Sequence, residues 1–247
     1  MPTPRTDAWK RRALGQHYLI DRSIISKMIE LARIKQGDRV MEIGTGKGVV
    51  TRELCKISSK VEAFELDGEN YLITERLGLA GLSLRREDAF ALPRDFDVLV
   101  SSLPYSESSN FVEWLAGLSY QRAVVLLQKD FAEKLLATPG DETYRAVSVL
   151  SQISCNLEIV EYVDRGSFQP SPKVTSVLAV MIPRQLISTE QIHLIRMLFS
   201  QRRKKLESAL RSLQMELSRG NPCLLSRRVE RLNPQEIAEM LPRIRVV

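Results

Sequence analysis

Val40-Met41-Glu42-Ile43, followed by Gly44-Thr45-Gly46-Lys47-Gly48, is the stretch on which the fold turns. The short, mainly apolar run reads as a buried strand. The glycines behind it let the backbone turn sharply and approach a ligand closely. A helix is expected from about Val49 to Lys56, so the loop meets a helix N-terminus with free N–H groups. A second strand, about Lys60 to Leu66, ends in Glu65-Leu66-Asp67. Glu65 thus lies about twenty residues beyond the loop, where a carboxylate can accept hydrogen bonds from both hydroxyls of a ribose. The dinucleotide-binding layout Gly-x-Gly-x-x-Gly is close, but here the third glycine comes one residue early.

The alternation continues outward from this unit. Upstream, Ile24, Ile25, Met28, Ile29 and Leu31 recur at helical spacing over about 22–34, and Gly37-Asp38 makes a turn. Downstream, a helix is expected over 68–78, a third strand before Asp88, a fourth at Asp97–Val100, a helix over 108–118 and a fifth strand at Arg122–Leu127. Strands alternating with helices predict a mostly parallel sheet covered on both faces. Two later β-rich runs, Leu157–Val163 and Val174–Ile182, are expected to complete the sheet as an antiparallel pair. After Pro183 the composition shifts. Ser188 with Gln191 is a capping-box pattern, and Ile192, Ile195, Leu198, Phe199, Leu206, Leu210, Leu213 and Leu217 mark a helix. Asn221-Pro222 breaks it, and a last helix starts near Pro234. The expected division is an α/β domain over 1–185 and a small all-helical domain over 186–247, with a basic, flexible arm at 1–12.

Composition bounds the function. The 247 residues hold 36 Lys and Arg against 30 Asp and Glu, a net charge of +6. That balance favours an anionic partner, nucleic acid above all. Cys55, Cys155 and Cys223 show no ligand spacing, and His17 and His193 are the only histidines. No metal site, disulfide framework or Ser-His-Asp triad is expected. Without an apolar leader or a long apolar run, the expectation is a cytoplasmic chain, away from membranes.

With Glu42 counted, the loop reads Glu-x-Gly-x-Gly-x-Gly and resembles the S-adenosylmethionine (SAM) motif of class I methyltransferases. Asp88, ending the third strand, is placed to accept from an adenine amino group; read by itself it is equally a turn or helix-capping aspartate. The fourth strand runs into Ser102-Leu103-Pro104-Tyr105, at a sheet edge where α/β enzymes do chemistry. The segment resembles the Asn/Asp-Pro-Pro-Tyr or Asn-Leu/Ile-Pro-Tyr of amino-methyltransferases. Adenine N6 is a poor nucleophile because its lone pair is delocalised into the ring. Acceptors aimed at its hydrogens, Ser102 and the Leu103 or Pro104 carbonyl, would localise that pair. Tyr105 would stack on an extruded base.

These residues resemble the KsgA-type ribosomal RNA adenine dimethyltransferases and, more distantly, the Erm methyltransferases. Gly15-Gln16-His17-Tyr18-Leu19-Ile20-Asp21 looks like that family's opening string, which implies cofactor contacts for His17 and Leu19 beside Gly44, Gly46, Glu65, Asp88 and Ser102. Ser167-Phe168-Gln169-Pro170-Ser171-Pro172-Lys173-Val174-Thr175-Ser176 matches a second string and implies that Phe168 covers the target base opposite Tyr105, with Lys173 toward RNA. Phe199-Ser200-Gln201-Arg202-Arg203-Lys204-Lys205-Leu206 matches a third and favours the KsgA branch. Its cations Arg202, Arg203, Lys204 and Lys205, read as a basic helix face, suit sequence-blind phosphate contacts. The resemblance implies a Rossmann-like class I methyltransferase with a seven-stranded sheet. It also implies dimethylation of two adjacent adenosines near the 3′ end of small-subunit rRNA by a monomer acting on the pre-ribosomal small subunit.

Three departures from the pattern fall on what reads as the substrate side. The family's Asn is Ser102. Tyr105 is followed by Ser-Glu-Ser-Ser-Asn. The family's Tyr-Gly-Arg-Leu-Ser-Val stands as Tyr144-Arg145-Ala146-Val147-Ser148-Val149. They leave open a catalytically weak assembly factor that keeps the fold, or an enzyme acting on large-subunit RNA or another adenine.

Overall fold

The structure, a computed structural model, describes residues 17–218 and 222–246. The N-terminal arm, Gly15, Gln16 and Asn221 lie outside the described residues. The strands are β1 (Tyr18–Leu19), β2 (Val40–Ile43), β3 (Val61–Phe64), β4 (Leu82–Arg85), β5 (Val98–Ser102), β6 (Arg122–Gln128), β7 (Cys155–Val163), β8 (Phe168–Gln169), β9 (Ser176–Pro183), β10 (Met215–Leu217) and β11 (Ile244–Val246). The helices are α1 (Arg22–Ala32), α2 (Val49–Ile57), α3 (Gly68–Glu75), α4 (Ser108–Ala116), α5 (Lys129–Leu136), α6 (Ala146–Ser154), α7 (Thr189–Ser200), α8 (Leu206–Ser212), α9 (Pro222–Ser226) and α10 (Pro234–Met240).

A seven-stranded sheet runs in the order β4-β3-β2-β5-β6-β9-β7. Strands β4 to β6 pair in parallel, and β9 enters antiparallel against β6, with Gln128 opposite Ser176. The order reverses at β2, where β3 lies on one side and β5 on the other, and a crevice opens there at the carboxyl ends of the strands. Strand β2 is buried at every position, as a strand covered on both faces must be. The antiparallel edge expected from the two late β-rich runs is realised by β9, with β7 outermost.

The chain divides into two compact units. The first comprises residues 1–111, 118–132 and 158–182. Its core gathers α1 (Ile24, Ile25, Met28), the inner strands (Val40, Val61, Val98, Val124) and Leu19 with Phe168 from the β1–β8 pair. Asp21 caps α1, accepting from the amides of Ser23 and Ile24.

The second unit is larger than the expected 186–247: it also takes in 112–117 and 133–157. Tyr144 is fully buried in it, its hydroxyl donating to the Leu232 carbonyl at 2.9 Å and its ring set edge-on to Phe199. Ser188 and Gln191 form the expected capping box on α7. Two expectations fail in this unit. The helix anticipated from Ile192 to Leu217 ends at Ser200, resumes at Leu206 and gives way to β10, which pairs antiparallel with β11, so the segment is not all-helical. The Arg202–Lys205 run is therefore a turn and not a helix face. Long-range backbone bonds hold it open: Glu230 N to the Arg202 carbonyl, Val229 N to Lys204 and Leu206 N to Arg227. Such tertiary pairing overrides helical propensity. No helix among the described residues is long and apolar enough to cross a membrane.

Candidate active site

The glycine loop is built as its residue types require. Gly44, Gly46 and Gly48 have φ of +76°, +53° and +73°, a region costly for residues with a Cβ. A Cβ on Gly48 would come within 2.6 Å of Leu77 Cδ1. Among the described residues, one on Gly44 would meet only Pro104 Cδ, at 3.8 Å, within 4 Å. The bare backbone at Gly44 thus leaves a cradle at the end of β2.

Glu65 closes the cradle from the end of β3. It is buried, with Oε2 accepting from Gly46 N and Oε1 from Asp67 N, each at 2.9 Å. These bonds fix its orientation and leave each oxygen a further acceptor position. Burial raises its pKa above the usual carboxylate value. Beneath it, Glu42 is 1% exposed, and its Oε2 and the Thr51 hydroxyl have no hydrogen-bond partner among the described residues. Burial, with the nearby Glu65 charge adding, pushes the Glu42 carboxyl up to about 8.

Two adjoining clefts share Gly44, Glu65, Leu103 and Pro104. One, of about 220 Å³, is walled by Ile43, Phe64, Leu66, Phe90, Asp88 and Glu107. Asp88 is exposed and its Oδ1 accepts from Phe90 N, so it is a turn aspartate and a wall of the cleft at once. The other cleft is lined by His17, Tyr18, Gly46, Asn70, Ser102, Tyr105 and Phe168. His17 Nδ1 donates to the Pro170 carbonyl at 2.8 Å, a pairing that sets Nε2 as the ring's acceptor in the neutral form.

The Ser102–Tyr105 segment divides its acceptors. Ser101 turns inward and donates to the Ile43 carbonyl at 2.5 Å, fastening β5 to β2. The Pro104 carbonyl is already engaged by Glu107 N at 2.9 Å, in the 3₁₀ turn that opens α4. Ser102 ends β5 half-buried in the cleft wall. Tyr105 is also half-buried, its pKa raised by burial.

Most residues singled out from sequence therefore converge, and the exceptions have physical causes. Leu19 pairs with Phe168 across β1–β8 and is 2% exposed; its side chain belongs to the core and not to the cleft lining. The Tyr144–Val149 string lies in the second unit's core instead of a substrate cleft, Ser148 donating to the Lys134 carbonyl. Lys173 is exposed, its carbonyl accepting from Arg165. Of the four cations, Arg202 is largely buried in a 2.9 Å ion pair with Glu230, while Arg203, Lys204 and Lys205 are exposed. Tyr18 and Asn70 line the cleft without having been expected there. The Tyr18 hydroxyl donates to Asn70 Oδ1 at 3.1 Å, and its ring would lie 3.0 Å from a Cβ on Gly46. Tyr18 stands between His17 and Leu19 in the Gly15–Asp21 string, which is the signal that could have found it, whereas Asn70 on α3 carries no local mark.

A family model for ribosomal RNA adenine dimethylases matches residues 8–77 and 89–241. The probable ribosomal RNA small subunit methyltransferase A of Thermococcus sibiricus is 37% identical over 204 residues, 80% of this chain and 74% of the relative. Its counterpart in Thermococcus gammatolerans is 34% identical over 242 residues, 93% of this chain and 87% of the relative. A dimethyladenosine transferase from Plasmodium falciparum shares the fold at TM-score 0.76 and 27% identity, covering 91% of this chain and 96% of that one. The 23S rRNA methyltransferase ErmE has a similar fold, at TM-score 0.62 and 23% identity, covering 92% and 98%.

Proposed function

Because this chain belongs to the ribosomal RNA adenine dimethylase family, we propose that it dimethylates N6 of two adjacent adenosines near the 3′ end of small-subunit rRNA. The observation that carries the reading is the pair of joined clefts, one suited to a nucleoside and the other ending in Ser102-Leu103-Pro104-Tyr105.

The residues fit SAM. A Cβ-free cradle at Gly44, a carboxylate at Glu65 with spare acceptor positions, and apolar walls at Leu66, Phe90 and Leu103 are what an adenosine moiety needs. Glu65 would take the ribose hydroxyls and Asp88 the adenine amino group, with His17 and Tyr18 at the far end of the cradle. SAM supplies an electrophilic methyl group on a sulfonium. The chain's own task is to hold and activate the amine. Tyr105 and Phe168 grip the base. The Ser102 hydroxyl and the Leu103 or Pro104 carbonyl would accept the N6 hydrogens; the Pro104 carbonyl takes one bond from Glu107 N and keeps a second acceptor position. The product ammonium is acidic enough to lose its proton to water, so no strong base is required.

Exposed Arg203, Lys204 and Lys205 would contact RNA phosphates, with Arg202 bracing their turn through Glu230. The proposed setting is a monomer in the cytoplasm acting on the pre-ribosomal small subunit. The test is incubation with SAM and unmethylated small-subunit particles, followed by mass spectrometry of the rRNA 3′ fragment. Dimethyladenosine is expected; its absence alongside calorimetrically measured SAM binding refutes the activity. Ser102 favours one second reading, an assembly factor that binds RNA without catalysis. In that case Ser102→Asn gains methylation where the native chain has none.

A further inference from the structure

We propose that Ser176 is a positioning residue for the methyl transfer, holding Tyr105 in the attitude that receives the target base. The proposal rests on the stacking role proposed for Tyr105 and assigns its ring a partner 71 positions away in the chain.

The geometry is direct. The Tyr105 hydroxyl and Ser176 Oγ share a hydrogen bond of 2.5 Å. Ser176 is fully buried at the first position of β9, paired with Gln128 across β6–β9. Beside it, Lys129 N donates to the Thr175 carbonyl at 2.9 Å, so the backbone carrying the hydroxyl is fixed on both sides. Tyr105, by contrast, opens a three-residue 3₁₀ turn and is half-buried. An aromatic ring that stacks on an extruded base must keep its place and height, and a change of χ1 well swings the whole ring away. A bond at the phenol oxygen, the point farthest from Cα, pins the ring tip against that swing; the oxygen lies on the Cβ–Cζ axis, so rotation of the ring about χ2 is left to its neighbours. The His17 ring, 5.8 Å away and tilted 30°, borders the same tyrosine.

The bond also gives the last residue of the Ser167–Ser176 string a task. Phe168, early in the string, lines the cleft, and Ser176, at its end, reaches the cleft only through Tyr105. One segment thereby places both aromatic faces of the base site, one through its own side chain and one through a hydrogen bond.

The test is a double-mutant cycle in the full-length chain with Ser176→Ala, Tyr105→Phe and both together. Initial rates use small-subunit particles lacking the modification; SAM affinity and melting temperature are measured in parallel. Each single variant is expected to lower kcat by about 3- to 10-fold, the worth of one neutral hydrogen bond. SAM affinity should be unchanged, and the double variant no slower than the slower single one. Multiplying effects, or wild-type kcat in Ser176→Ala, overturn the proposal. If Ser176→Ala fails to fold, Tyr105→Phe decides alone, since it keeps the ring and loses only the bond, and wild-type kcat there overturns it. Tyr105→Ala separates the two readings. Full activity in that variant removes the stacking role of Tyr105 itself. Loss of activity there, with a wild-type rate for Ser176→Ala, removes only the role of Ser176.

Discussion

Replacing Ser102 by alanine takes away the side-chain acceptor that the β5 terminus presents to the cleft. The size of the effect follows from how the neighbouring acceptors are used. Ser101 spends its hydroxyl on the Ile43 carbonyl, and the Pro104 carbonyl is bonded to Glu107 N. On the proposed reading, the N6 hydrogens go to Ser102 Oγ and to the Leu103 or Pro104 carbonyl, so Ser102 is the side-chain acceptor among them. Nitrogen gains positive charge as the methyl group arrives, so each of these bonds is charge-assisted in the transition state and contributes about 1.5–3 kcal/mol. Losing one lowers kcat by about 10- to 150-fold. SAM affinity should hold within about twofold, because a ground-state contact is not what is removed. Ser102→Asn, which restores an amide oxygen with longer reach, should match or exceed the native rate. The assay is initial-rate transfer of labelled methyl from SAM to unmethylated small-subunit particles, with calorimetric SAM titration of each variant. A wild-type kcat in Ser102→Ala refutes the acceptor argument. So does an Asn variant as slow as the alanine one, which would make position 102 a slot limited by size.

Glu42→Gln should remove a pH dependence of stability. The native carboxyl titrates at about 8, above its usual 4.5. Its neutral form is therefore stabilising below the unfolded value, and that contribution is lost as pH rises toward 8, by up to about 1.4 kcal/mol per pH unit. Urea melts from pH 5 to 9 should show the native curve falling relative to Glu42→Gln; parallel curves would contradict the burial argument. Gly44→Ala and Gly46→Ala share a left-handed strain of about 1–2 kcal/mol, and Gly46→Ala adds the Tyr18 contact. Thermal melts should rank Gly46→Ala below Gly44→Ala, and both should bind SAM at least tenfold more weakly by calorimetry. Lys204→Ala should weaken RNA binding and flatten its salt dependence by about one unit of slope. Arg202→Ala should instead lose about 1 kcal/mol of stability, because Glu230 loses its shorter ion pair and keeps the one with Arg228, at 3.9 Å; equal effects of the two on a salt titration would refute the division of labour.

Local chemistry made much of this protein legible in its sequence. Positive φ at Gly44 and Gly46, the acid at the end of β3, the Ser102–Tyr105 segment after β5 and the Ser188 capping box are each fixed by residues within a few positions of one another. The family strings then placed both halves of the site. Helices α5 and α6 were not legible: they are only 8 and 9 residues long, and α6 is buried nearly all round, so it carries no amphipathic stripe to read.

Tertiary structure decided what depends on partners far along the chain. The Arg202–Lys205 run is a turn because Arg227, Val229 and Glu230 take its backbone bonds, and Arg202 is structural because Glu230 is there to meet it. Leu19 faces the core because β1 pairs with β8. Tyr105 is steadied by Ser176 because β9 runs antiparallel to β6. The sequence by itself determined the glycine loop, the carboxylate at Glu65 and the Ser102–Tyr105 segment, since residue types and short spacings set them. Only the fold decided which side chains are free to act, because a cation such as Arg202 is spent or spared by contacts that no local pattern records.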